Sequence, residues 1–235
     1  MRHFAPSVPW EAKADGSPVT AADLEVDEAL VAVLGEQRSS DAVLSEEGGG
    51  RGDARRRWII DPIDGTVLFS TGGAGWGTYV ALEEDGELVL GVINHPIDRR
   101  RYWATRGAGA RGAATENGVV VGSDRDVRVS AVARLDDARF TAVPSIETPA
   151  LQALRAVATW VEPTWDFLVD LAEGRLDVLL TQNGEVWDHA AQVVIVEEAG
   201  GCFHDPEGGH RLDLRGGTYT NGVLAAEVGA LLGRC

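Results

Sequence analysis

The stretch WIIDPIDGTVLF, from Trp58 to Phe69, places Asp61 and Asp64 directly after a run of apolar residues. The apolar run predicts a buried strand over residues 58–60, and the proline and glycine around the aspartates predict a turn. Two carboxylates held in the same small volume repel each other, which costs stability unless a cation lies between them. The stretch therefore indicates a cation-binding turn at the end of a buried strand.

The composition is that of a globular protein and not of a disordered chain. Of the 235 residues 44% are hydrophobic and 25% are charged, and 37 acidic residues against 21 basic ones give a net charge of -16. Because phosphate backbones and anionic lipids require a basic surface, this charge argues against nucleic acid or membrane as a partner. The sequence contains no membrane-spanning run and no signal-peptide pattern, so we expect a cytoplasmic protein. The two cysteines, Cys202 and Cys235, lack metal-ligand or redox spacing.

Apolar periodicity and turn residues predict helices that alternate with hairpins. A helix with one apolar face is predicted from Thr20, ending at Gly35. The stretch TYVALEEDGELVLGVI predicts a β-hairpin that turns at its Asp-Gly pair, residues 85–86. Further along, helices are predicted over residues 167–172 and 188–199, with a strand between them. This mixture indicates a layered α/β or α+β architecture.

Four groups of acidic residues are candidates for the cation site: Asp23, Glu46 with Glu47, Asp61 with Asp64, and Asp188. Each group also has a structural explanation. Asp23 fits a capping box with Thr20. Glu46 and Glu47 precede a glycine loop, in which glutamates are commonly solvated. Asp61 and Asp64 fit an aspartate-rich turn, and Asp188 lies at a helix start, where an acidic residue is favourable. Taken singly, only the DPIDGT turn stands out from these alternatives.

The order of the acidic segments along the chain is more informative than any one of them: KADGSPVTAAD, LSEEGG, WIIDPIDGT, then VWDHAA followed by EEAGG. From Lys13 onward, this order closely resembles the inositol monophosphatase superfamily of metal-dependent phosphatases. The resemblance implies an α/β (α+β layered) fold, the αβαβα sandwich of the inositol monophosphatase and fructose-1,6-bisphosphatase type. It also implies a single phosphatase domain over residues 1–235, with an N-terminal α+β half to about residue 130 and a C-terminal α/β half from about residue 131.

The same resemblance implies a site for two or three Mg²⁺ ions. Glu46, Asp61 and the backbone carbonyl of Ile63 would hold a first ion, and Asp61, Asp64 and Asp188 a second. Glu46 would also join a third, weaker ion. Carboxylate and carbonyl oxygens are the ligands that Mg²⁺ prefers, and the ions would offset the repulsion between the aspartates.

The reaction that the resemblance implies is hydrolysis of a small phosphate monoester by metal-activated water, without a covalent enzyme intermediate. Asp23 and Thr66 would position and activate the attacking water. Gly65 and Thr66 lie where a helix N-terminus could offer backbone N–H groups to the phosphate. The expected partner is a small phosphorylated metabolite, and the expected assembly is a homodimer.

The substrate is less well determined by the sequence. The run VALEEDGELVLGVINHPIDRRRYWATRGAGA looks most like bacterial histidinol-phosphate phosphatases of this superfamily. Asp166 would suit a substrate with a positively charged amine, although it also fits a helix N-cap. Trp165 stands where those enzymes tend to have glycine, which favours another amino or polyol phosphate from a specialised pathway. Glu185 is a second candidate contact to the substrate.

Two positions depart from the family pattern, and the first of them bears on the N-terminal packing and the dimer. Only twelve residues precede Lys13, where relatives usually carry a helix, and Leu68 stands where the family commonly has asparagine. The alternatives are an inositol monophosphatase, a specialised-biosynthesis phosphatase, a 3′-phosphonucleotide or sugar bisphosphate phosphatase, and a non-catalytic regulatory member of the family.

Overall fold

The structure, a computed structural model, describes residues 4–14 and 16–233, so Asp15 and Cys235 lie outside the described residues. Within these residues the strands form three sheets of two, eight and five strands. The smallest sheet pairs β1 (Trp10–Ala12) with β2 (Pro18–Thr20) in antiparallel register.

The large sheet holds the predicted buried strand near one edge. Its strands are β3 (Ala42–Ser45), β4 (Gly49–Arg51), β5 (Arg56–Asp64), β6 (Gly77–Glu84), β7 (Glu87–His95), β8 (Arg100–Thr105), β9 (Gly109–Glu116) and β10 (Val119–Val127). Their order is β10-β9-β8-β7-β6-β5-β3-β4, and only the β3–β5 pair among them is parallel. The predicted hairpin is confirmed as β6–β7, because Asp85 and Gly86 both adopt the positive φ that a two-residue turn requires.

The five-stranded sheet comes from the second part of the chain. Its strands are β11 (Arg139–Val143), β12 (Thr159–Trp160), β13 (Val178–Thr181), β14 (Cys202–His204) and β15 (Gly217–Thr220). They lie in the order β12-β11-β13-β15-β14, with parallel pairing around β11 and antiparallel pairing around β15.

The helices are α1 (Ala21–Gln37), α2 (Thr66–Ser70), α3 (Pro149–Val157), α4 (Phe167–Ala172), α5 (Val186–Glu198) and α6 (Ala225–Leu231), with a 3-10 turn at Leu135–Asp137. The predicted helix starting near Thr20 is confirmed, but the prediction that it ends at Gly35 is wrong. Gly35 has no positive φ, and the helix continues for two residues before Arg38 donates its backbone N–H to the Leu34 carbonyl. The α5 helix begins two residues earlier than predicted.

Three hydrophobic clusters fill the spaces between the layers of the fold. The main core lies where α4 and α5 pack between the two larger sheets, with Val194 and Tyr219 among its members. A second cluster, around Phe140 and Leu154, fills the space between the five-stranded sheet, α3 and α6. A third, around Ile63 and Trp76, packs α1 and α2 against the large sheet. The layers therefore follow the expected αβαβα order.

Among the described residues, no helix has the length and apolar character needed to cross a bilayer.

Candidate active site

A break in the register of β5 brings Asp61 and Asp64 together. In a regular strand, residues three apart point to opposite faces, because side chains alternate. Here Asp61 pairs with Tyr79 and Asp64 pairs with Gly77, so three steps along β5 match two steps along β6. The extra residue is a β-bulge, which turns the second carboxylate toward the side of the first.

The N-terminus of α5 supplies the third carboxylate. Asp188 lies in the first turn of this helix, and its Oδ2 accepts a hydrogen bond of 2.7 Å from the backbone N–H of Glu185. Oxygen atoms of Asp61, Asp64 and Asp188 lie within 4.8 Å of one another. The structure therefore brings together three of the predicted ligands, from two distant segments of the chain.

Burial and mutual repulsion perturb the acidity of this cluster. Desolvation, followed by the charge of Asp188, raises the pKa of Asp64 to about 7. Desolvation also raises the pKa of Asp188 to about 6, and the pKa of Asp61 lies well above its usual value for the same reason and because of its acidic neighbours. Carboxylates whose charged forms are disfavoured in this way are those that a cation would stabilise.

The donor set fits a hard divalent cation. Asp61 is 1% exposed, and its Oδ1 has no hydrogen-bond partner among the described residues. An unpartnered buried carboxylate oxygen is costly, and three carboxylates converge on the same point. Oxygen-only coordination of this kind suits Mg²⁺. The carbonyl of Ile63, also predicted as a ligand, lies in the same turn, with its oxygen 3.1 Å from the hydroxyl oxygen of Thr66.

The two glutamates of the glycine loop are held by the only lysine of the chain. Lys13 Nζ lies 2.7 Å from Glu46 Oε1 and 2.7 Å from Glu47 Oε1. Burial lowers the pKa of Lys13, but its hydrogen bonds to the two glutamates outweigh that effect and the net shift is upward. Glu46 also contributes to the raised pKa of Asp61, so it lies next to the aspartate cluster. Sequence reasoning assigned no role to Lys13, although its being the single lysine was a signal.

Thr66 and Asp23 meet beside the same turn. The Thr66 hydroxyl lies 3.1 Å from Asp23 Oδ1, and Asp23 is fully buried. The other carboxylate oxygen of Asp23 accepts hydrogen bonds from the backbone N–H and the hydroxyl of Thr20, at 2.8 and 2.5 Å. The capping box predicted for Thr20 is thus present, and the same carboxylate also reaches Thr66.

Gly65 allows the chain to turn from β5 into α2. It adopts a φ of +85°, and a Cβ at this position would lie 2.5 Å from the carbonyl oxygen of Gly75. A side chain is therefore excluded on both conformational and steric grounds. Gly65 is the N-cap of α2, so the backbone N–H groups that follow it point out of the helix start beside the aspartates.

Asp166 lies at the N-cap position of α4 but makes no side-chain cap hydrogen bond. Its Oδ2 instead lies 3.4 Å from Nδ1 of His95, a histidine that is 1% exposed. Asp166 therefore occupies the N-cap position that its sequence allowed, but without forming a side-chain cap hydrogen bond. His95 received no role from the sequence, because its partner lies on a distant segment.

Glu185 immediately precedes α5 and forms a close ion pair with Arg215. Tyr79, a member of the main core, is a further residue that the sequence did not single out. It is buried in β6, and its hydroxyl hydrogen-bonds the carboxylate of Asp64, which lowers the pKa of Asp64 against the larger effect of burial. The pairing of β5 with β6 brings Tyr79 next to the aspartates, a relationship that the sequence does not display.

Comparison with known proteins places this site in a family. The family model described as the inositol monophosphatase family matches residues 3–232. A Streptomyces griseus protein named glucose-1-phosphate thymidylyltransferase is 44% identical over 94% of this chain and 85% of its own length. A histidinol-phosphatase of Mycobacterium tuberculosis is 37% identical over 93% of this chain and 85% of its own.

A solved structure with a similar fold is the extragenic suppressor protein suhB from Bartonella henselae. It superposes with a TM-score of 0.81 at 29% sequence identity, over 96% of this chain and 88% of the other. The similarity extends over nearly the whole of both chains.

Proposed function

The chain belongs to the inositol monophosphatase family of metal-dependent phosphomonoester hydrolases, and on that premise we propose that it hydrolyses a small phosphate monoester with Mg²⁺. The observation that carries the proposal is the convergence of Asp61, Asp64 and Asp188 within 4.8 Å of one another. These carboxylates come from two distant segments, and burial makes their charged forms unfavourable without a counter-ion.

In this proposal Mg²⁺ is held by five groups: Glu46, Asp61, the Ile63 carbonyl, Asp64 and Asp188. The bound ions, two or three in number, would neutralise the phosphate charge and make water a better nucleophile. Glu46 Oε1 is paired with Lys13 Nζ at 2.7 Å, which leaves the other carboxylate oxygen of Glu46 available to an ion. In this proposal Lys13 orients the glutamate toward the site.

The residues of the chain act on the water and on the phosphate. The Thr66 hydroxyl accepts a hydrogen bond from the attacking water while donating its own to Asp23, and this orients a lone pair of the water toward phosphorus. Asp23 keeps its orientation because Thr20 donates two hydrogen bonds to it. Backbone N–H groups at Gly65 and Thr66 bind phosphate oxygens at the start of α2.

The alcohol part of the substrate contacts Asp166 and Glu185 in this proposal. Relatives named histidinol-phosphatase and inositol-1-monophosphatase support either an amino alcohol or a polyol as the leaving group. We also propose that the chain works as one phosphatase domain, as a homodimer, in the cytoplasm. A non-catalytic role is less well supported, because Asp23, Thr66 and Asp188 are all in place.

Phosphate release with Mg²⁺ tests the proposal. The panel contains histidinol phosphate, inositol 1-phosphate, a 3′-phosphonucleotide and amino-sugar phosphates, and Asp61→Asn is the matched variant. We expect Mg²⁺-dependent phosphate release by the native protein, and a loss of at least about a hundredfold in the variant. Release from no substrate, or equal activity of Asp61→Asn, would contradict the proposal.

The name of the Streptomyces griseus relative requires one further assay. Glucose 1-phosphate and thymidine triphosphate are incubated together with the protein and Mg²⁺, and pyrophosphate is measured beside phosphate. If pyrophosphate forms and no phosphomonoester is cleaved, the proposed reaction would be nucleotidyl transfer and not hydrolysis.

A further inference from the structure

We propose that Asp27 is a positioning residue, which holds the turn that carries Glu46 and Glu47 through a hydrogen bond to Ser45. In this way it sets how tightly the protein binds the Mg²⁺ ion assigned to Glu46. The inference rests on the proposed function, because it concerns a metal ligand of the same site. Asp27 itself is assigned no contact with an ion or with the substrate.

The buried side of helix α1 is unusually polar. Its buried residues are Ala22, Asp23 and Asp27, and Asp27 is 5% exposed. A helix at the surface of a globular protein normally buries an apolar stripe. A buried polar side chain costs stability relative to an apolar one of similar size, unless a partner satisfies it. Packing alone therefore does not explain why α1 buries two aspartates.

The partner of Asp27 is Ser45, the last residue of β3. The hydroxyl of Ser45, a residue that is 1% exposed, donates a close hydrogen bond to Asp27 Oδ1. Because both partners are buried, water does not compete with this contact. Glu46 follows Ser45 directly, so the bond fixes the residue before the predicted metal ligand relative to α1.

Asp27 also lies against the chain after the two glutamates. A Cβ on Gly48 would come within 2.9 Å of Asp27 Oδ2 and within 3.2 Å of Arg51 Nη2. A side chain at residue 48 would therefore displace the carboxylate or the guanidinium. Asp27 thus contacts the turn on both sides of its glutamates, at Ser45 before them and at Gly48 after them.

The backbone of the same turn is attached to the strand that carries the aspartates. Ser45 pairs with Ile60 in the parallel register of β3 and β5, and the Glu46 N–H donates to the Ile60 carbonyl at 3.1 Å. Ile60 immediately precedes Asp61. The strand pairing holds one edge of the turn, and the bond from Ser45 to Asp27 holds its orientation toward α1. Without that bond, Glu46 is less well fixed relative to Asp61.

Helix α1 relates this turn to the one that carries Asp61 and Asp64. Asp23, whose Oδ1 lies 3.1 Å from the Thr66 hydroxyl, and Asp27 are four residues apart. They therefore lie on one face of the helix, about 6 Å apart along its axis. About one helical turn thus sets the spacing between the two ligand-bearing turns. Outer partners that orient metal ligands in this way affect metal affinity.

Substitutions of Asp27 test the inference, with Mg²⁺ binding measured by isothermal titration calorimetry without substrate. Asp27→Ala removes the acceptor, and we expect the Kd for Mg²⁺ to rise about tenfold, the lower end of the cost of losing an outer partner of a metal ligand. Asp27→Asn keeps an oxygen that can accept from Ser45, so it should bind Mg²⁺ much as the native protein does. In assays of phosphate release, Asp27→Ala should change the Mg²⁺ concentration for half-maximal rate more than it changes kcat.

Ser45→Ala removes the other partner of the same hydrogen bond. It should raise the Kd for Mg²⁺ by a similar factor. The double variant, Asp27→Ala with Ser45→Ala, should bind Mg²⁺ no more weakly than the single variants, because all three have lost one and the same interaction. If Asp27→Ala fails to fold, the comparison of Ser45→Ala with the native protein decides the outcome.

Ser130→Ala is the matched control. The Ser130 hydroxyl donates to the buried Asp177 at 2.5 Å in the second part of the chain, so this variant also loses a hydrogen bond from serine to aspartate. It should lower the melting temperature, as Asp27→Ala does, and leave the Kd for Mg²⁺ unchanged.

An unchanged Kd for Mg²⁺ in both Asp27→Ala and Ser45→Ala would overturn the inference. Equal losses in Asp27→Ala and Asp27→Asn would also overturn it, because the charge and not the hydrogen bond would then matter. An equal loss in Ser130→Ala would assign the effect to general stability and overturn it as well. If the native protein binds Mg²⁺ but releases phosphate from no substrate, the proposed hydrolysis fails alone, whereas absence of Mg²⁺ binding would overturn both.

Discussion

Thr66 and Asp23, 43 residues apart in the chain, are joined by a hydrogen bond of 3.1 Å from the threonine hydroxyl to Asp23 Oδ1. Thr66 is 8% exposed and Asp23 is fully buried, so solvent does not compete with this contact. The hydroxyl that would orient the attacking water is therefore itself oriented by a carboxylate that two hydrogen bonds from Thr20 hold in place.

Replacing Thr66 separates the role of its hydroxyl from that of its shape. Thr66→Val keeps the volume and removes the hydroxyl, so we expect kcat to fall by about 10²- to 10⁴-fold, whereas Thr66→Ser should retain most activity. Initial rates of phosphate release at saturating Mg²⁺ measure both variants. Equal losses in the two variants would show that packing, and not the hydroxyl, matters at this position.

Asp188→Asn should weaken the response to Mg²⁺ without unfolding α5. The asparagine side-chain oxygen can still accept the hydrogen bond that the Glu185 N–H donates to Asp188 at 2.7 Å, but it carries no charge for the cation. We expect the Mg²⁺ concentration for half-maximal activity to rise by at least about tenfold, which corresponds to ~1.4 kcal/mol. Asp170→Asn is the control. It alters a carboxylate on α4 that is paired with Arg175, and it should leave the Mg²⁺ titration of activity unchanged.

The chelated protein should lose stability as pH rises from about 4 to about 7. The pKa of Asp64 is raised from 3.8 to about 7, mainly by desolvation, so between these values the folded state keeps a proton that the unfolded state has released. Each pKa unit is worth ~1.4 kcal/mol, and we expect the melting temperature with chelator to be at least about 3 °C lower at pH 7.5 than at pH 5 on account of this cluster.

Asp64→Asn isolates that contribution, because the amide does not titrate. The difference in melting temperature between the native protein and this variant should shrink when Mg²⁺ replaces the chelator at pH 7.5. A pH profile that is identical in the two chelated proteins would show that Asp64 titrates normally.

Two glycine substitutions should act in opposite directions. A Cβ on Gly91 of β7 would lie 2.4 Å from the backbone oxygen of Ala191 in α5, so Gly91→Ala should destabilise the protein by about 1–3 kcal/mol. Gly35 lies inside α1, where an added Cβ would meet nothing within 4 Å, so Gly35→Ala should stabilise by about 0.5–1 kcal/mol. Chemical denaturation of both variants with Mg²⁺ present measures the two changes, and equal signs would contradict the packing argument.

The parts of the fold that depend on neighbouring residues could be predicted from the sequence. The DPIDGT turn, the Asp-Gly hairpin and the existence of the helix that contains Asp188 each have their determinants within a few residues of one another. The end of α1 was predicted wrongly, because a glycine with ordinary helical φ gives no stop signal of its own. Helix α1 continues past it until Arg38.

The pairs that complete the site could not be predicted in the same way. Lys13 with Glu46 and Asp166 with His95 join segments that come together only through the layered packing of the whole chain. The bulge that aligns Asp61 with Asp64 depends on the partner strand β6, so no pattern within β5 specifies it. Long-range contacts of this kind depend on tertiary structure and leave no local periodicity.

Helix α5 touches both large sheets, through Ala191 against Gly91 on one side and Val196 against Gly201 before β14 on the other. Asp188, at its start, faces aspartates that belong to the large sheet alone. An ion held by all three carboxylates would thus be a cross-link between α5 and the large sheet, in addition to the apolar packing, to the ion pair of Arg106 with Glu197 and to the hydrogen bonds that Gly107 and Gly109 donate to Glu198. The proposed catalytic cation would at the same time be a tertiary cross-link at the start of α5, and a protein that has lost it would rely on packing and on the polar contacts at the other end of this helix.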